Sequence, residues 1–72
     1  MDIKVRDFLM LARDEKDGVA IRDCTFKADH TPQYMAVMTA RDGWGDYNVI
    51  QFAVGPDVFG HGKCLHLWVD RD

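Results

Sequence analysis

Val5, Phe8, Leu9 and Ala12 recur at intervals of three and four residues, the spacing that gathers apolar side chains on one stripe of a helix. The pattern predicts a helix over residues 4–16, with Asp2 as its cap and Asp17-Gly18 as its end. Met10 and Leu11 widen the apolar arc beyond that stripe. After Gly18 the period changes to two. Val19 and Ile21 share one side of a strand, while Cys24 and Phe26 fall on the other. A one-residue bulge near Arg22-Asp23 would restore a single buried face. The polar stretch 27–32 reads as a connection, and Pro32 discourages ladder pairing there.

Residues 33–41, "QYMAVMTAR", carry two readings. Their Met and Ala content suits a helix; their alternation, and the turn that follows, suit a strand. We take strand. Residues 42–46, "DGWGD", form a turn by composition. Strands follow over 47–54 and 63–69, separated by the Gly-rich loop 55–62 with Pro56 near its start. The expected fold is α+β: an N-terminal helix packed on one face of a small, mainly antiparallel sheet of about four strands.

The helix has consequences for the sheet. A helix of thirteen residues spans about 20 Å and covers one side of such a layer. Within 47–54, Ile50, Phe52 and Val54 are expected to face the helix, leaving Tyr47, Val49, Gln51 and Ala53 outside. Within 63–69, Leu65, Leu67 and Val69 make the inner face, and Cys64, His66 and Trp68 the outer one. Tyr47, Val49, His66 and Trp68 then compose an outer patch, joined by Tyr34 or Met35. Such a patch, beyond a few hundred Å², marks a contact surface. The alternative is an ordinary solvated face, because aromatic and β-branched residues favour strands even when wet. Trp44, between two glycines, either anchors a partner or folds back to enlarge a thin core.

Composition sets the frame. Seventy-two residues make one domain, 1–72, and a chain of this size hides only roughly 60% of its unfolded surface. An apolar share of 47% argues against disorder. The net charge is −3 with a pI near 5.4, and the signs alternate without any basic run. Nucleic acid is therefore disfavoured as a partner. The longest apolar run, 8–12, is too short for a signal peptide or a membrane span. The expectation is a cytoplasmic chain without membrane contact, and Cys24 and Cys64 as reduced thiols.

Most chemistry falls in the ten residues 60–69, "GHGKCLHLWV". A phosphate loop needs Gly-Lys-Ser/Thr opening a helix. Here His61 and Gly62 intervene between Gly60 and Lys63, Cys64 replaces the hydroxyl, and a strand follows. A metal reading uses His61, Cys64 and His66 as zinc ligands, with Cys24 or His30 completing four, although this spacing matches no common zinc module. Cys64 as nucleophile with His66 as base lacks an orienting third group, and the chain has no serine. The short helix and small sheet in an acidic chain are similar in texture to small phage and mobile-element proteins, with no shared motif from which a residue's role carries over.

The expectation is a non-catalytic protein-interaction module without cofactor. It would be a homodimer or a small inhibitor or regulator docked on a larger protein, with Tyr47, Val49, Trp68, His66 and Trp44 at the interface. The alternatives are a small zinc-binding domain and a weak single-strand nucleic-acid binder that stacks bases on the outer aromatic rings.

Overall fold

A computed structural model describes residues 3–12, 14–25, 32–57 and 62–71. The N-terminal helix forms where the apolar stripe begins, but α1 covers only Val5–Leu9. Its next amides tighten to three-residue spacing, with Leu11 N–H on the Phe8 carbonyl and Ala12 N–H on the Leu9 carbonyl. The expected continuation to residue 16 is replaced by a turn. Asp14 accepts the Lys16 amide on its own carboxylate at 2.9 Å, an alternative to helix that Asp side chains offer readily.

Strand β1 (Gly18–Asp23) leads to β2 (Gln33–Ala36), and the chain then turns directly into α2 (Val37–Trp44). The strand expected over 33–41 thus stops at Ala36, and the helix reading applies from Val37 onward. Residues 42–44, expected in a turn, are the last helical ones, and only Gly45 and Asp46 turn. Strands β3 (Asn48–Pro56) and β4 (Lys63–Asp70) complete a sheet of order β2-β1-β4-β3. The outer pairings, β1–β2 and β3–β4, are antiparallel. The central pair β1–β4 is parallel. This is the expected α+β class, with a mixed, mostly antiparallel sheet and a second short helix.

Neither helix has a side-chain cap. The first free amides of α1, Val5 and Arg6, donate to the carbonyls of Tyr47 (2.9 Å) and Gly45 (3.2 Å), just past the end of α2. The first amides of α2, Val37 and Met38, donate to Asp17 (2.8 Å) and Glu15 (3.0 Å), on the turn that follows α1. Each helix is capped by the backbone trailing the other, which satisfies donors that would otherwise be orphaned. The Arg41–Glu15 ion pair, at 2.6 Å, ties the same two segments.

The core lies between this helix pair and one sheet face: Val5 and Leu9 from α1, Val37 and Ala40 from α2, Val19 and Ile21 from β1, Val49, Leu67 and Val69 from β3 and β4. The expected bulge at Arg22-Asp23 is not there; β1 runs in unbroken register from Val19–Leu65 to Asp23–Val69. The bulge is on β3 instead. Val49 pairs with Val69 and Gln51 with Trp68, leaving Ile50 as the extra residue. The slip reverses the facing of everything before it. Val49, expected outside, is fully buried, while Phe52 and Val54 keep the expected inner side opposite Leu67 and Leu65.

Gly45 is needed for close approach rather than for unusual dihedrals. A Cβ there would collide with the Arg41 carbonyl oxygen and sit 3.2 Å from the Arg6 Cβ. Gly45→Ala is expected to lose about 1–3 kcal/mol, as overpacking does. Gly43→Ala, where a Cβ meets nothing within 4 Å, should gain up to about 0.5–1 kcal/mol through helix propensity. Urea denaturation of the two variants against the parent checks both signs.

Candidate functional site

The two sheet faces are finished differently. On the face away from the helices, Tyr34 leaves β2 and crosses β1 at Gly18, where any side chain would overlap its ring. Its hydroxyl donates to the Asp57 carboxylate at 3.1 Å. Ala20, between Tyr34 and His66 in register, is fully buried beneath this cover. Gly55 opens a similar space, since a Cβ there would stand 3.3 Å from the His66 ring.

His66 is 8% exposed and both ring nitrogens are engaged. Arg22 donates to Nδ1 at 3.0 Å, and Nε2 lies 2.9 Å from the Pro56 carbonyl oxygen. A guanidinium only donates and a carbonyl only accepts, so the pair of bonds assigns the neutral ring with its proton on Nε2. The same guanidinium stands 4.8 Å from the centre of the Trp68 ring, a cation–π distance. Among the described residues, this face is therefore closed by its own polar network and offers no bare aromatic patch.

The five residues expected at one interface are divided by the fold. Val49 is in the core, and Trp44 and Tyr47 pack against that core from the helix side, their rings 4.7 Å apart. Only His66 and Trp68 belong to the outer face. Trp44 thus takes the core-enlarging alternative. Base stacking on His66, Trp68 and Tyr47 together is not available, because the three do not share a side and Arg22 overlies Trp68.

Of the metal candidates, Cys64 and His66 adjoin on β4, while Cys24 stands apart from them. His30 and His61 lie outside the described residues. Cys64 Sγ is 3.5 Å from His66 Nε2, but that nitrogen carries the proton directed at Pro56 and cannot draw one from the thiol. Cys24 follows β1 at the level of Asp70, its amide on the Val69 carbonyl. Six residues of β4 separate it from Cys64, about 20 Å. Neither cysteine is joined in a disulfide. Burial, followed by the charges of Asp23 and Asp70, pushes the Cys24 thiol up from its ordinary value, away from the thiolate a metal requires. Among the described residues no group of three or more His, Cys, Asp or Glu is placed to hold a metal ion, and no helix is long and apolar enough to cross a membrane.

The open surface is on the helix side, where the layer runs out. Five helical residues span about 7.5 Å, against the 20 Å expected, so the far half of β3 is left uncovered. Phe52 is 51% exposed, its ring 5.1 Å from that of Phe8, and Val54 is 69% exposed. Beside them a groove of about 380 Å³ is lined by Ala12, Val37, Val54 and Leu65, with Asp17 and Lys63 at its margin. Leu11, on the turn after α1, is 82% exposed. β3 is also the sheet's edge. Among the described residues, only its first ones are paired on the free side, through the Lys4–Asn48 bridge and the Val49 amide on the Ile3 carbonyl. The sequence pattern had marked Phe52 and Val54 as inner residues; that they would be both inward and uncovered required knowing how short α1 is.

Comparison with known protein families, with curated proteins and with solved structures finds no match for this chain.

The Tyr34 contact carries a pH dependence. Burial against the sheet, then the hydrogen bond to Asp57 and that carboxylate's charge, push the Tyr34 hydroxyl up from its ordinary value of 10.0. A raised value means the folded state holds the proton more tightly. The contribution is complete below the unfolded value and disappears as pH rises through the folded one. Stability is expected to fall on entering the range above about pH 10, and to fall less steeply in Tyr34→Phe, as read from urea midpoints across pH 8.5–11 (roughly the tyrosine titration range). Equal slopes would show that the contact carries no such linkage.

Proposed function

We propose that this chain is a non-catalytic protein-binding domain whose contact surface is the uncovered half of β3, centred on Phe52 and Val54, together with the groove beside them. The observation that carries this reading is the combination of exposed apolar side chains with a strand edge lacking any charge. From 47 to 56 there is no charged residue, in a chain of which 29% is charged. Strand edges that must stay solitary are normally guarded by lysine, by inward charge or by proline. The opposite edge follows that rule: β2 has four residues and comes directly after Pro32. β3 has nine residues, with a proline only at its last position.

Electrostatics support a protein partner over a polyanion. The net charge is −3, and the three arginines gathered around the end of α2 are each already engaged. Arg6 pairs with Asp46, Arg41 with Glu15, and Arg71 lies over the Tyr47 ring.

A photoreactive phenylalanine analogue at position 52 tests the reading directly. Irradiation of the cells producing the chain is expected to give a discrete covalent protein adduct from position 52. The same analogue at Met38, an exposed apolar site on α2, should give none. Equal labelling from both positions, or none from either, defeats the proposal.

A further inference from the structure

The partner's chemistry can be narrowed, resting on the protein-binding reading above. We infer that β3 pairs with β3 of a second copy of this chain, antiparallel about a two-fold axis, to give one continuous eight-stranded sheet. In a two-fold contact each residue meets the same surface that it belongs to. Any charge on the strand would then be brought near its own copy, a like-charge juxtaposition that opposes association. Ten uncharged positions, 47–56, remove that obstacle. The backbone edge supplies donors and acceptors that match its own copy run in reverse.

The usable length is set by the bulge. Ile50 interrupts the ladder, and the residues before it are engaged by Ile3 and Lys4. Residues 51–55 remain, a straight segment of about 17 Å. An axis at Ala53 sets Phe52 opposite the partner's Val54, an aromatic ring against a β-branched side chain, one of the favourable cross-strand pairs. Both helix layers then lie on the same side of the joined sheet. Phe52 and Val54 of the two copies fill the gap between those layers, the gap that the short α1 leaves.

A stable interface takes about 800 Å² from each partner, near one-sixth of the 4909 Å² surface. Five strand residues do not supply that alone. The exposed Leu11 and the groove wall beside Val54 have to take part, which makes the contact both a strand pairing and an apolar one.

Light scattering coupled to size exclusion is expected to show twice the 8.3 kDa chain mass, at concentrations rising to about 1 mM, where weak complexes assemble. Hydrogen exchange at residues 51–55 should slow as concentration increases. Val54→Lys, at a site open enough to accept the new side chain, should weaken association by roughly a hundredfold with an unchanged circular dichroism spectrum. Met38→Lys should leave the mass unaltered. A monomer at the highest concentration overturns the inference, as does a dimer whose β3 amides exchange at the monomer rate. In either case an adduct from position 52 to a protein of another mass leaves the binding reading standing, whereas absence of any adduct removes both.

Discussion

Reciprocal capping of the two helices is the constraint on which the rest of the structure depends. Val5 and Arg6 find their acceptors at Tyr47 and Gly45, and Val37 and Met38 find theirs at Asp17 and Glu15. Helices of five and eight residues are too short to persist in water unaided. Here neither is finished until the other is in place, because the acceptors are some forty and twenty residues away along the chain. Gly45 keeps the crossing close, and the core residues Val5, Leu9, Val37 and Ala40 pack beneath it.

That arrangement limits how far the helices reach over the sheet. The segment after Leu9 has to turn so that the carbonyls of Glu15 and Asp17 face α2, and it cannot also continue as a helix along β3. The central parallel strands are covered on both sides: by the helices on one, and by Tyr34 and His66 on the other, over Ala20. Parallel strands normally demand such two-sided cover. The far half of β3 receives neither. An uncovered, uncharged edge is thus a by-product of how the helix ends are satisfied.

Much of this was legible in the residues. The strand 63–69 and its two faces follow from alternation, and so does the inward facing of Phe52 and Val54. The start of α1 follows from Val5, Phe8 and Leu9. The β3 bulge left a trace that the expectation of unbroken alternation passed over: the apolar phase runs through Tyr47 and Val49 and then slips to Ile50, Phe52 and Val54, at the residue left over when Val49 pairs with Val69 and Gln51 with Trp68. Residues 33–41 were ambiguous for a physical reason as well, since they contain a strand and a helix end to end and no glycine or proline between them. The aromatic residues were misplaced through the same limit. Tyr47 read as exposed, and Trp44 as either exposed or folded back, until the turn at Gly45 and Asp46 sets both against the core.

The sequence by itself determined the α+β class, the apolar faces of the strands and the absence of charge along residues 47–56, because side-chain period and charge belong to the chain wherever it lies. Tertiary structure decided how long α1 is and which apolar residues are left uncovered. Those outcomes depend on whether a helix end meets a carbonyl, and a strand meets its neighbour in step, across tens of residues. Local periodicity carries no record of partners that distant.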